Sequence, residues 1–150
     1  MVRELNVLIA FESMSGNTME VAEIIEKTAQ ENGHNVTRYR IGSESSFPVV
    51  SDYDVFIIGT YTWGKGLTPK RTKSFVAKVG YKPAVVYVFG TGDTQFGGAE
   101  LFCAAATKLG KFYETQYPVL KIEQSPRGSQ EELVVDWTKG VFKCEETRNC

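Results

Sequence analysis

Three side-chain hydroxyls and one amide cluster within six residues near the start of the chain. The segment Ser13-Met14-Ser15-Gly16-Asn17-Thr18 follows an apolar run and precedes a helix-like pattern. Hydroxyls, an amide and the unpaired N–H groups at a helix start can bind an anion by hydrogen bonds. The segment contains no Lys or Arg, unlike the phosphate loop of nucleoside-triphosphate hydrolases. It favours a terminal phosphomonoester, with an ordinary helix N-cap as the alternative interpretation.

Apolar strand-like runs alternate with helix-like patterns along the rest of the chain. The sequence predicts strands at 6–11, 35–39, 55–59, 84–89 and 118–122, and helices at 17–32, 69–79, 98–109 and 129–142. Strands that are apolar almost throughout indicate a parallel sheet covered on both faces. Right-handed crossovers then favour a doubly wound α/β fold. We expect a single domain over 1–150, with 145–150 as a flexible tail.

Two further unusual loops follow the third and fourth predicted strands. Ligands of such sheets bind outside the carboxyl ends of the strands, so both loops should lie beside the hydroxyl-rich segment. The first reads Thr60-Tyr61-Thr62-Trp63-Gly64-Lys65, and the second runs from Gly90-Thr91-Gly92-Asp93 to Phe96-Gly97. Two aromatic-bearing loops next to a phosphate site predict a flat, conjugated phosphate ester. The alternatives are a Trp63 that folds over the core and a glycine-rich turn that serves the next helix.

Together, these three loops and the order of the elements resemble the flavodoxin family over nearly the whole chain. The segments 13–18, 62–64 and 90–93 match the family's phosphate loop and its two isoalloxazine-binding loops. Nothing resembles the insertion in the last strand that marks long-chain members, so the chain resembles the short-chain type. The resemblance implies a five-stranded parallel sheet of order 2-1-3-4-5 with FMN as cofactor. It also implies one-electron transfer between the semiquinone and hydroquinone states of the flavin.

The resemblance also assigns roles to individual residues. It implies that the FMN phosphate is bound by Ser13, Ser15, Asn17, Thr18 and the amides of 14–18. Trp63 and Phe96 would stack on the two flavin faces, and the backbone of Gly64 would lie near flavin N5. Backbone groups of Gly92 and Asp93 would pair with the pyrimidine edge. The remaining expected cofactor-binding residues are Thr60, Tyr61, Thr62, Lys65, Gly90, Thr91 and Gly97.

The charge around the predicted flavin site departs from the family pattern. Flavodoxins are usually acidic there, yet no Asp or Glu occurs between Asp54 and Asp93. The same stretch contains six cations: Lys65, Lys70, Arg71, Lys73, Lys78 and Lys82. A solvated helix face would explain such a run. A changed flavin potential and a surface for acidic partners are the functional interpretation.

Other functions fit the sequence less well. A phosphotransfer receiver needs an acidic pair after strand one and an acceptor Asp after strand three, and Glu12 and Thr60 do not supply them. A hydrolase is disfavoured because His34, the only histidine, is expected to be a solvated turn residue with no nucleophile beside it. The best alternative is a flavodoxin-like activator of manganese ribonucleotide reductase. Against it, 90–93 matches ordinary flavodoxins better.

Bulk composition fits one ordinary soluble domain. The chain has 150 residues, 42% hydrophobic and 23% charged, with a formal net charge of −1. It has no apolar run near the ~20 residues of a membrane span and no metal-binding cysteine spacing. We expect a cytoplasmic monomer without metal, nucleic-acid or membrane binding. The expected partners are a flavodoxin reductase and acceptor enzymes, with ribonucleotide reductase as one possibility.

Overall fold

A computed structural model of the chain describes residues 4–43, 45–62, 66–93 and 102–147. Its five strands form one parallel sheet in the order β2-β1-β3-β4-β5. The strands are β1 Asn6–Phe11, β2 Asn35–Arg40, β3 Val55–Tyr61, β4 Val86–Gly92 and β5 Leu120–Glu123. The central strand β1 pairs Val7 with Val36 of β2 and with Val55 of β3. The doubly wound fold and strand order expected from the sequence are confirmed.

Four α-helices of the described residues cover the two faces of this sheet. They are α1 Asn17–Glu31, α2 Lys70–Val79, α3 Ala104–Tyr113 and α4 Ser129–Thr147, and a short 3-10 turn spans Val50–Asp52. One core lies between the sheet and α1 and α4, where Ile25 and Val141 are fully buried. The other core lies between the sheet and α2 and α3, where Phe75 and Leu109 are buried.

The strands next to the site are longer than the sequence predicts. Thr60 and Tyr61 lie in β3, and Gly90, Thr91 and Gly92 lie in β4 rather than in a flexible loop. The glycines allow helix α3 to approach the strand closely. A Cβ at Gly90 would lie 2.5 Å from the Cβ of Ala106. Glycine in this segment therefore serves packing as well as any bound ligand.

The last helix also extends beyond its predicted end. Helix α4 continues to Thr147, so 145–147 are helical and not part of a flexible tail. Its last turns are anchored because Cys144 is buried and Tyr87 donates a hydrogen bond to the Glu145 carboxylate. Residues 148–150 lie outside the described residues. The same is true of 94–101, which include the predicted start of the helix before β5.

Candidate cofactor-binding site

The segment between β1 and α1 is held together by one of its own serines. Ser13 Oγ accepts hydrogen bonds from the N–H groups of Gly16 at 3.1 Å and Met19 at 3.3 Å. Gly16 caps the helix with a φ of 98°, in the left-handed region where a side chain is strained. A Cβ there would meet nothing within 4 Å, so backbone conformation, not crowding, explains the glycine. We call residues 13–18 the phosphate loop.

The phosphate loop offers several unused hydrogen-bond donors. No described residue accepts a hydrogen bond from the N–H groups of Met14, Ser15, Asn17 or Thr18. Ser13 accepts two hydrogen bonds through its oxygen, which leaves its O–H free to donate. The positive end of the α1 dipole adds to this set. An anion with several acceptor oxygens, such as a phosphate group, satisfies these donors without a cation in the loop.

Arg40 contacts this loop through a backbone carbonyl. Its Nη2 donates to the Ser13 carbonyl at 2.9 Å, and its Nη1 lies 3.9 Å from the Met19 sulfur. Arg40 ends β2, the strand next to β1, so its side chain can reach the loop that follows β1. Sequence reasoning missed this residue, although its place at a carboxyl strand end was the available signal. Arg40 fixes the loop from outside.

Thr18 lies at the buried end of the phosphate loop. Its side chain is 1% exposed, and its hydroxyl lies 2.8 Å from the hydroxyl of Thr91 in β4. Either hydroxyl can be the donor of this buried hydrogen bond. The contact joins the first turn of α1 to β4. It therefore brings the phosphate loop next to the strand that leads into the loop after β4.

A series of buried, hydrogen-bonded polar groups lies where β1 and β3 approach α2. Glu12, at the end of β1, accepts a hydrogen bond from the Thr72 hydroxyl at 2.7 Å, and Thr72 lies 2.9 Å from the Thr60 hydroxyl. Burial is the main cause that raises the pKa of Tyr61, and the nearby Glu12 carboxylate raises it further. Tyr61 therefore stays protonated at neutral pH. These contacts tie β1 and β3 to α2. The sequence singled out none of this network apart from Thr60 and Tyr61.

Helix α3 holds both ends of the loop after β3. The Ala105 N–H donates to Thr62 Oγ1 at 3.2 Å, and Lys108 Nζ donates to the Gly66 carbonyl at 2.8 Å. The three residues between these two attachments, Trp63, Gly64 and Lys65, lie outside the described residues. Helix α3, about forty residues further along the chain, therefore sets where the loop after β3 begins and ends.

The loop after β4 begins with contacts to the end of β5. The Gly92 carbonyl accepts from the Gln124 N–H at 2.7 Å, and the Asp93 carboxylate accepts from the Gln124 side chain at 3.2 Å. Phe96 and Gly97 lie outside the described residues. Next to Gly92, burial raises the pKa of the Cys103 thiol to about 12, so it is neutral and unreactive at physiological pH.

His34 lies at the other end of the sheet. The sequence predicted a solvated turn residue, and this prediction is wrong because His34 is buried. It is 5% exposed, stacks on Phe142 with ring centroids 4.3 Å apart, and accepts the Leu5 N–H through Nδ1 at 3.1 Å. Burial lowers its pKa, although Glu4 and Glu146 oppose the shift. It precedes β2, whereas the three loops follow the carboxyl ends of their strands. This placement separates the histidine from the site.

The described starts of the three segments lie close together at the carboxyl edge of the sheet. Thr91 contacts Thr18 through its hydroxyl, and its carbonyl accepts the Thr62 N–H at 3.3 Å. One β4 residue thus contacts both the phosphate loop and the start of the loop after β3. The fold and this arrangement define a class: a doubly wound α/β protein with a donor-rich loop that contains no Lys or Arg at the switch point of its sheet.

Comparison with known proteins identifies the family within this class. A family model described as Flavodoxin matches residues 9–137. The chain is 34% identical over 145 residues to "Probable flavodoxin 2" of Bacillus subtilis, covering 91% of this chain and 94% of that protein. It resembles the crystal structure of oxidised flavodoxin 2 from Bacillus cereus with a TM-score of 0.81 and 30% identity, covering 93% of this chain and 99% of that one.

The chain belongs to the flavodoxin family and is of the short-chain type. It is therefore an FMN-binding electron-transfer protein. The alternative identity, an activator of manganese ribonucleotide reductase, gains no specific support from these relatives. The expectations of fold, cofactor and general function drawn from the sequence are confirmed.

Proposed function

We propose that this flavodoxin carries single electrons between a reductase and acceptor enzymes. In this proposal it is an electron carrier and not an enzyme with a substrate of its own. The observation that carries the proposal is the phosphate loop, with four N–H groups that no described residue accepts and no cation among its residues. Such a loop fits a phosphomonoester, and residues 13–18 include no histidine or carboxylate that could activate their hydroxyls as nucleophiles. FMN supplies the redox chemistry when it is bound, and the protein supplies binding and environment.

The chain's own residues have separate tasks in this proposal. Ser13, Ser15, Asn17 and the amides of 14–18 bind the phosphate by hydrogen bonds. Trp63 and Phe96 cover the two faces of the ring and exclude water, while Gly64, Gly92 and Asp93 offer backbone groups to its polar edge. Thr18 and Thr91 hold the loops in place through their buried contact of 2.8 Å. The remaining residues of the proposed site, Thr60, Tyr61, Thr62, Lys65, Gly90 and Gly97, line or support these positions.

The proposed setting is a single-domain cytoplasmic monomer that meets several redox proteins in turn. Flavodoxin reductase and acceptor enzymes are its proposed partners, and we propose no binding to nucleic acid. None of the helices within the described residues is long and apolar enough to cross a lipid bilayer.

Flavin absorption and tryptophan fluorescence test the cofactor site together. The purified protein should show the bands of oxidised flavin, and the apoprotein should regain them with FMN. Binding should quench Trp63, whereas Trp137 should contribute little because its Nε1 donates to the Pro118 carbonyl in the packed region between β5 and α4. Trp63→Phe should remove most of the quenching, and Trp137→Phe should preserve it. A colourless protein that ignores FMN would contradict the function, and quenching that survives Trp63→Phe would contradict the ring assignment.

A further inference from the structure

The two helical faces of the sheet carry opposite charge. We call α1 and α4 the acidic face, because they contain nine carboxylates and three lysines. We call α2 and α3 the basic face, because they contain six cations and no carboxylate: Lys70, Arg71, Lys73, Lys78, Lys108 and Lys111. The formal net charge of −1 therefore conceals a strong separation of charge across the sheet. Such a separation orients approaching charged proteins before contact.

A groove of about 600 Å³ lies between the two helices of the basic face. Its lining is mainly apolar and includes two exposed rings, Tyr81 at 48% and Phe112 at 46% exposure. Lys73, Lys82 and Lys108 also line it, and no described carboxylate does. The ammonium of Lys82 lies 4.6 Å from the centre of the Phe112 ring. Exposed rings surrounded by charges of one sign are typical of a docking surface.

One lysine of the groove also contacts the loop after β3. Lys108 lines the groove and donates to the Gly66 carbonyl, at the end of the loop after β3. One turn earlier, Ala105 of the same helix donates to Thr62, at the start of that loop. A protein seated in the groove would therefore lie against the helix that positions this loop. The groove extends from Lys108, next to this loop, toward the opposite edge of the sheet, where Tyr81 precedes β4 and Phe112 lies in the last turn of α3. A partner seated along the groove would reach the cofactor side through Lys108.

We propose that this groove docks an acidic amphipathic segment of a redox partner protein, an inference that rests on the proposed carrier function. Apolar side chains of the segment would pack on Tyr81 and Phe112, and its carboxylates would pair with Lys73, Lys82 and Lys108. Complementary charge would steer the encounter, and the rings would supply contact area once water is displaced. A second copy of this chain is disfavoured, because pairing its acidic face with this groove is head-to-tail and generates rings or filaments.

Peptide titration of the full-length, FMN-loaded protein tests the groove. The probe is a synthetic helical peptide with glutamates on one face and Leu and Phe on the other. In amide NMR spectra, the largest shifts should fall at Tyr81, Lys82, Lys108 and Phe112. Lys73→Glu/Lys82→Glu should weaken binding at least about tenfold. In the unsubstituted protein, raising salt from about 50 to about 500 mM should also weaken binding, because salt screens the attraction between the lysines and the peptide.

The matched control places the same charge change on the other face of the sheet. Lys139→Glu/Lys143→Glu alters two exposed lysines of α4 and should leave the affinity within about twofold. Equal losses in both double variants would overturn the proposal. So would shifts confined to the flavin edge, equal binding of a sequence-scrambled peptide or of oligo-dT, or dimers that block the groove. The flavin spectrum is recorded in parallel, so a protein without FMN would refute the carrier function while the shifts still decide the docking site.

Discussion

The acidic and basic faces meet at the same edge of the sheet but contribute to the site in different ways. On the acidic side, α1 begins in the phosphate loop, which Ser13 holds together through two backbone N–H groups. On the basic side, α3 holds the loop after β3 through Ala105 and Lys108. The phosphate side is organised by its own residues. The ring side is organised by a helix that also borders a proposed partner surface.

This difference separates binding of the cofactor from adjustment of its environment. A neutral loop binds a phosphate through fixed donors, so its affinity depends on the geometry of a few residues. Charges on the basic face act over longer distances and are screened by salt. We therefore expect substitutions in the phosphate loop to change affinity strongly, and charge changes on the ring side to change potential and docking more weakly.

The largest effect is expected from Ser13→Ala. The change removes the acceptor of the Gly16 and Met19 N–H groups and one donor to the phosphate, so the loop loses its shape and a ligand group. A hydrogen bond to a charged group contributes about 1.5–3 kcal/mol, which is roughly one to two powers of ten in FMN affinity. Titration of the apoprotein with FMN and riboflavin measures the loss. Riboflavin, which lacks the phosphate, should be nearly unaffected.

The exposed Ser129 at the start of α4 provides the control for this prediction. Ser129→Ala removes a hydroxyl outside the site and should leave both affinities unchanged. If Ser13→Ala weakened riboflavin as much as FMN, Ser13 would support the fold and not the phosphate.

The second-largest effect is expected from Thr18→Val, which should lower the free energy of unfolding and not only the affinity for the phosphate. The substitution keeps the shape of the side chain and leaves the buried Thr91 hydroxyl without its partner, which costs about 1–3 kcal/mol. Urea unfolding of the apoprotein measures this loss. Thr18→Val/Thr91→Val should recover part of it, because no buried hydroxyl is then left unpaired. Unchanged stability with a selective loss of FMN would instead make Thr18 a phosphate ligand.

These two threonines illustrate what the sequence could and could not predict. Strand order and the two covered faces followed from apolar periodicity and the rules for parallel sheets. Thr18 was assigned to the phosphate because it lies in the loop, but its exposure depends on how closely β4 passes α1. That distance is a property of packing between elements 73 residues apart.

Long-range contacts also explain the other differences from the sequence prediction. Gly90 and Gly92 predict a loop from local preference, yet α3 packs so closely on β4 that only glycine fits at Gly90. His34 predicts a solvated turn, yet Phe142 of the last helix covers it. Arg40 and Lys108 contact loops far from them in sequence. Single-sequence patterns report local geometry and burial, and they do not report which distant side chain reaches a loop.

Lys65→Asp should have a smaller, salt-dependent effect on the basic side of the comparison. Lys65 lies outside the described residues, and the sequence places it in the loop after β3 beside Trp63. The doubly reduced flavin is an anion at neutral pH, so a nearby cation favours it. At an effective dielectric near 20, a charge ~8 Å away contributes about 2 kcal/mol before screening. Lys65→Asp should make the second one-electron potential more negative, especially at low salt.

A redox titration at two ionic strengths measures this effect. Lys139→Asp, on the acidic face, makes the same charge change and should leave the potential nearly unchanged. With Lys65 intact, the potential should be less negative than in flavodoxins with acidic flavin surroundings. An unmoved potential in Lys65→Asp would exclude Lys65 as the tuning residue.

The smallest effect is expected at His34, which gives the acidic face its own pH dependence. Burial lowers the pKa of His34 in the folded protein, so the unfolded chain binds a proton more readily. The stability that neutral His34 contributes is therefore complete above its unfolded pKa of 6.5 and is lost as the pH falls below it. His34→Gln keeps an acceptor for the Leu5 N–H but cannot titrate in this range.

The free energy of unfolding of both proteins between pH 7.5 and 5, from urea titrations, tests this expectation. The difference between them should shrink or reverse toward low pH, by at most about 1.4 kcal/mol per pH unit. The two proteins differ only at residue 34, so the difference reports His34 together with its interactions with Glu4 and Glu146. Riboflavin and FMN affinities at neutral pH should be the same in both, because His34 lies at the opposite end of the sheet from the site. Parallel pH profiles would show that His34 protonates as readily in the folded as in the unfolded chain.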